Sequence, residues 1–152
     1  TFSITGWRLG YAAGPEAFCR RIGIANDLMY ICAPTPLQVG LAKGMAALDD
    51  GYYTRLADEY RHKRDFFCGQ LASFGLTPCV PRGAYYVLAD VSGLGFDDDV
   101  AAAMHILETA GVACVPGSSF FASDGSTGLV RFCYAKETSV LEEACARLES
   151  AL

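Results

Sequence analysis

No apolar run in the 152-residue chain approaches 18 residues, so no stretch is long enough to cross a membrane as a helix. There is no block of like charge. Twelve Lys and Arg face 17 Asp and Glu, a net charge of -5 spread along the sequence. Nucleic-acid binding needs clustered cations, so no nucleic-acid partner is expected. The seven cysteines contain no C-x-x-C pair, and His62 and His105 lack paired spacing, so no metal site is expected. Cys19, Cys32, Cys68, Cys79, Cys114, Cys133 and Cys145 are read mostly as small buried apolar residues in a reducing, cytoplasmic setting. Repeats and low-complexity segments are absent. What remains is 52% hydrophobic and 19% charged, the composition of a folded domain.

The pattern changes near residue 51. Before it, "RLGYAAG" alternates Leu9, Tyr11 and Ala13 and predicts a short strand. Pro15 then suits the first turn of a helix over about 15–30, and Pro36 that of a second over about 36–49, with Leu37, Leu41, Met45 and Leu48 on one face. After residue 51, Leu56, Tyr60, Phe67 and Leu71 recur at near-helical spacing and predict a long helix over 52–74, stopped by Gly75. "LTPCV" and "AYYVLADV" read as strands joined by a "PRG" turn. Asp97, Asp98 and Asp99 cap a helix reaching Ala110, where the dipole favours negative charge. "GVACVPG" and "GLVRFCYA" are two more strands, and 136–152 is a last helix burying Val140, Leu141, Ala144 and Leu148. The order predicts an α/β fold of the α+β two-layer kind, with helices on one face of a small sheet, over residues 51–152. Residues 1–50 belong to a different body.

Two arginines stand out. In "TGWR", Arg8 with Ser3, Thr5 and the Gly6 N–H can converge on an anion, since a guanidinium matches phosphate as a fork. A turn with a surface arginine is the plainer alternative. Arg131 sits inside the apolar pattern of "GLVRFCYA". An arginine there needs a partner. It is a structural ion pair, an edge-strand cation facing water, or a fork for a substrate carboxylate. "VPGSSFF" offers Ser118 and Ser119 beside Phe120 and Phe121, either a pocket lining or a loop with an aromatic anchor. No carboxylate pair or histidine suggests general acid–base work.

"TFSITGWRLGY" resembles the segment after the cofactor lysine in class I/II pyridoxal-phosphate aminotransferases of fold type I, whose pattern is S-K-x-F-x-x-T-G-W-R-x-G; Phe2, Thr5, Gly6, Trp7, Arg8 and Gly10 match it. The similarity continues through "APTPLQVGLAKGMAAL", "VPRGAYYVLADVS", "GVACVPGSSFF" and "VRFCYAKE". The resemblance implies that residues 51–152 are the small C-terminal domain and residues 1–50 the terminal strand and helices of the large one. It implies that Arg8 binds the phosphate of pyridoxal 5'-phosphate and Arg131 the substrate α-carboxylate. Pro116, Gly117 and Ser118 would line the site's mouth, and Cys32 to Gln38 would approach a partner subunit in a homodimer. Amino acids and 2-oxo acids would be the substrates.

The Schiff-base lysine of the pattern would directly precede Thr1. No catalytic residue is therefore assigned within the chain, and the chain is expected to be the C-terminal part of a longer transaminase, inactive by itself and without bound cofactor. Lys43, Lys63 and Lys136 are read as solvent-facing helix residues. The alternatives are a non-catalytic interaction module built on the same domain, or part of a related C–S lyase.

Overall fold

Proline and glycine fix most of the element ends. A computed structural model describes residues 1–122 and 127–152. Pro15 precedes helix α1 (Glu16–Met29), and Pro34 precedes α2 (Thr35–Ala47), which carries Pro36 in its first turn. Helix α3 (Gly51–Ser73) stops where Gly75 takes φ 85°, and the Leu76 N–H donates back to the Leu71 carbonyl at 3.1 Å. That bond and its left-handed glycine form a Schellman ending. There follow β1 (Thr77–Cys79), β2 (Tyr86–Asp90), α4 (Asp99–Ala110), β3 (Val115–Pro116), β4 (Leu129–Cys133) and α5 (Thr138–Ala151).

The chain divides into two units, Thr1–Leu56 and Ala57–Leu152. In the second, four strands form an antiparallel sheet in the order β1-β2-β4-β3. Val87, Ala89, Val130 and Phe132 point to one face, where Phe67, Cys68 and Leu71 of α3, Ala102, Ala103 and Ile106 of α4, and Leu141, Cys145 and Leu148 of α5 bury them. The Phe67 and Phe132 rings meet edge to face at 5.8 Å. Each such large apolar side chain contributes about 1.5–3 kcal/mol when removed from water. The α/β two-layer expectation holds. In the first unit, by contrast, no described residue is buried. Trp7 stands 3.4 Å from where a β-carbon on Gly40 would lie, and Phe2 stacks on Tyr52, whose hydroxyl donates to the Thr1 carbonyl at 2.6 Å.

Several local expectations need correction. Residues 8–14 form no strand: Arg8 leaves a 3₁₀ turn (Thr5–Trp7) at φ 56°, Tyr11 is 86% exposed, and no neighbouring strand supplies a ladder. Strand β3 is two residues long, because Pro116 has no N–H to donate and sits at the sheet edge. Val140 faces solvent, and Cys145 takes the inward position on α5. Lys63 is not solvent-facing. Its side chain is largely covered, pairs with Glu59, and lies over the Tyr60 ring. Among the cysteines only Cys68 and Cys145 are fully buried, whereas Cys32 and Cys79 are exposed.

Gly117 is fixed by packing rather than by backbone conformation. A β-carbon there would stand 2.3 Å from the Thr127 Oγ1 and 2.9 Å from the Leu129 carbonyl oxygen. The latter is backbone and cannot swing away. Gly117→Ala is therefore expected to cost about 1–3 kcal/mol, the usual range for overpacking. A thermal denaturation midpoint equal to that of the parent would refute this packing.

Candidate functional site

The sheet has a second face, opposite the one packed on α3, α4 and α5. Strand β4 alternates half-buried and buried residues, so Leu129, Arg131 and Cys133 point away from the core, as do Tyr86 and Leu88 of β2. Arg131 pairs in register with Leu88 on one side and Val115 on the other. It is thus on a central strand, which removes the edge-strand reading. No carboxylate pairs with it among the described residues, which removes the structural ion-pair reading.

Its partners are aromatic. The Arg131 guanidinium carbon lies 4.1 Å from the Tyr86 ring centroid and 4.1 Å from that of Phe120. Ring quadrupoles attract the cation without consuming its N–H donors. The result is a permanent cation, orientated by two rings, with a fork left for an incoming anion.

Each ring is supported from behind. Tyr86 follows Tyr85 and Ala84, and Ala84 has φ 64°, a left-handed conformation unusual for a residue with a β-carbon. The buried Tyr134 holds that turn twice: its hydroxyl donates to the Ala84 carbonyl at 3.0 Å and its N–H to the Tyr85 carbonyl at 2.9 Å. Phe120 ends a 3₁₀ turn (Gly117–Phe120). There Ser118 donates to Asp99 through its N–H at 3.0 Å and its hydroxyl at 2.8 Å, and Thr127 donates through its N–H at 3.0 Å and its hydroxyl at 2.6 Å.

The three consecutive acids therefore have separate roles. Asp97 is exposed. Asp98 is the N-cap of α4 and accepts from the Ala101 N–H at 2.7 Å. Asp99 is 1% exposed and turns inward. Burial by itself would raise its pKa, but hydrogen bonds from Thr127 and Ser118 outweigh that and hold it at about 2, below the ordinary 3.8. A lowered folded value makes the ionised form a source of stability. That contribution is whole above about 3.8 and is lost as the pH falls towards about 2. The gap in thermal midpoint between the parent and Asp99→Asn is therefore expected to close between roughly pH 5 and pH 2. A gap that stays constant across that range would contradict the assignment.

Arg8 belongs to the first unit. Its N–H donates to the Thr5 carbonyl at 3.1 Å, and its side chain is exposed and touches the same oxygen at 3.4 Å. Ser3 and Thr5 are exposed too, and no described atom lies within 4 Å of a β-carbon placed on Gly6. No described carboxylate pairs with Arg8. Among the described residues no group of His, Cys, Asp and Glu could hold a metal, and no helix is long and apolar enough to cross a membrane. Burial lifts the Cys114 and Cys145 thiols to about 11, which leaves them poor nucleophiles.

The parts of the site that sequence reasoning missed are Tyr86 and Asp99. Tyr86 meets Arg131 only through the β2–β4 register, and Asp99 reaches Ser118 across 19 residues of chain. Phe120 was in view as a pocket lining, though not as a partner of Arg131.

The chain belongs to the aminotransferase class I and II family, whose model matches residues 1–148. It is 35% identical over 163 aligned positions to kynurenine–oxoglutarate transaminase 3 of Rattus norvegicus, covering 95% of this chain and 36% of that protein. It is 33% identical over 150 positions to methionine aminotransferase of Escherichia coli (strain K12), covering 97% of this chain and 38% of the relative. Among solved structures, N-succinyldiaminopimelate aminotransferase from Mycobacterium tuberculosis superposes with a TM-score of 0.86 at 29% identity, over 99% of this chain and 39% of that one. The chain spans less than two fifths of the length of these three proteins.

Proposed function

We propose that the chain works as the C-terminal part of a pyridoxal-phosphate-dependent aminotransferase that exchanges an amino group between an amino acid and a 2-oxo acid. The observation that carries this reading is Arg131: a strand-borne cation, held by two rings and without a carboxylate partner among the described residues, in a chain of the aminotransferase family. In the proposal Arg131 receives the substrate α-carboxylate through its in-plane N–H donors. Tyr86 and Phe120 hold the guanidinium in place and shield it from water.

Arg8 is the proposed contact for the cofactor phosphate. The residues present fit that end of the group: an exposed guanidinium without a carboxylate partner among the described residues, the hydroxyls of Ser3 and Thr5, and open space at Gly6. When bound, pyridoxal phosphate supplies an electron-accepting ring. Residues 1–50 are assigned to the large cofactor-binding domain and 51–152 to the small domain. The lack of any buried residue before position 57 supports a first part that gains its core elsewhere. Exposed Leu28, Met29, Tyr30 and Ile31 are consistent with a homodimer of the intact enzyme. A cytoplasmic location goes with the free cysteines. By itself the chain is proposed to be inactive.

Arg131 addresses the α-carboxylate and leaves the substrate side chain open. The relatives' names span kynurenine, methionine and N-succinyldiaminopimelate, so the family varies at that end. The test is a panel of amino acids assayed with the full-length protein, pyridoxal phosphate and a 2-oxo acid acceptor. Product that appears only when the acceptor is present is expected. Release of ammonia without an acceptor, as in a lyase, or no turnover of any donor, would overturn the reading.

A further inference from the structure

We infer that Asp99 is a positioning residue for the carboxylate site, holding Phe120 and the start of β4 so that Arg131 presents its fork. The inference rests on the reading of Arg131 given above. Asp99 is the one charged side chain buried among the described residues. A buried carboxylate is costly to keep, so its donors have to be good, and they are. The donors named above come from two segments, each of which leads to Arg131.

The first segment is the 3₁₀ turn. Phe120 is 48% exposed, so surrounding packing does little to fix its ring. The ring nevertheless lies 4.1 Å from the guanidinium carbon of Arg131. What fixes it is the turn, and Asp99 holds the turn through the Ser118 N–H and hydroxyl. The second segment is the entry to β4. The Thr127 hydroxyl donates to Asp99 at 2.6 Å and accepts from the Leu129 N–H at 3.3 Å, two residues before Arg131. One carboxylate thus holds both the ring against the guanidinium and the strand that carries it. A fork already orientated loses less freedom when it takes a carboxylate.

Geometry also indicates which substitution should preserve the function. Of the four bonds given above, Asp99 Oδ2 accepts three and Oδ1 accepts one, from a hydroxyl that can reverse its direction. An asparagine can place its oxygen at the Oδ2 position and donate from its nitrogen to Ser118 Oγ. Asp99→Asn should therefore keep the arrangement, whereas Asp99→Ala should lose it.

The experiment is steady-state kinetics of the full-length protein carrying Asp99→Ala, Asp99→Asn, Phe120→Ala, Arg131→Ala and the double variant Asp99→Ala/Phe120→Ala. Asp99→Ala is expected to raise KM for the amino donor about tenfold with kcat within about threefold, the pattern of lost binding rather than lost chemistry. Asp99→Asn is expected to stay within about threefold of the parent in KM, and Asp99→Ala should add only about threefold once Phe120 is already Ala, because its hold on the ring then has no effect and only its hold on the β4 entry remains. A KM unchanged by Asp99→Ala while Arg131→Ala raises it would overturn the positioning role and leave the carboxylate site standing. Arg131→Ala without effect would instead overturn the carboxylate site. Full additivity with Phe120→Ala, or an asparagine variant as impaired as the alanine one, would also overturn the role. Should Asp99→Ala fail to fold, Ser118→Ala takes its place. It is expected to raise KM about threefold, only while Phe120 is present, and no such dependence would overturn the inference.

Discussion

Residues 1–152 by themselves, mixed with pyridoxal phosphate, an amino acid and a 2-oxo acid, should give no turnover and no persistent new band in the visible spectrum. The reason lies in what these residues offer the cofactor. The three lysines are in the wrong settings: Lys43 is exposed on α2, Lys136 is exposed ahead of α5, and Lys63 is engaged with Glu59 and Tyr60. None follows the Ser-Lys pattern of the family. Arg8 offers one charge-assisted contact, worth about 1.5–3 kcal/mol. Millimolar affinity already needs about 4 kcal/mol. The hydroxyls of Ser3 and Thr5 can add to Arg8 only if the first ten residues keep their shape, and Ser3 and Arg8 both sit at positive φ with no buried neighbour to hold them there. A stable absorbance band together with product formation from residues 1–152 would show that one of these lysines anchors the cofactor.

The same contrast explains how far the sequence could be read. In the second unit local signals agreed with one another. The α3 apolar spacing, the Gly75 stop and the alternation of β2 and β4 all depend on contacts within Ala57–Leu152, and each element appeared where its pattern put it. In the first unit "RLGYAAG" alternates like a strand, yet a strand exists only as a pairing, and nothing there pairs with it. Val140 failed for a smaller reason, since a helix face can be rotated by one residue when a cysteine such as Cys145 packs as well as an aliphatic side chain. At the site, Arg131 was legible because a charge inside an apolar strand is anomalous by itself. The Tyr86 ring was not, since "AYYVLADV" reads the same whichever tyrosine faces the cation, and only the register with Cys133 decides it. Asp99 was hidden by its neighbours. Three acids at a helix start look like one cap, and sequence cannot show that the third turns inward.

Replacing Arg131 with alanine in the full-length protein should lower kcat/KM by the equivalent of about 2–5 kcal/mol, the range for removing one partner of a desolvated charge pair. That is roughly thirtyfold to several thousandfold at 25 °C. The loss should fall on carboxylate substrates and spare cofactor binding, which is assigned to Arg8 in the other unit. Two features place the expected effect well above that of an exposed surface arginine. Arg131 sits on a central strand, where its backbone cannot drift, and its guanidinium lies over Tyr86 and Phe120 rather than in open water. Charge on its own should not rescue the site: Arg131→Lys keeps a cation but replaces the planar fork with a point charge, and it should recover only part of the loss. The lysine variant therefore separates geometry from electrostatics. Full activity in Arg131→Lys would mean that the site needs only a positive charge. Unchanged kcat/KM in Arg131→Ala would mean that the α-carboxylate is bound elsewhere and that the ring-flanked arginine has another purpose.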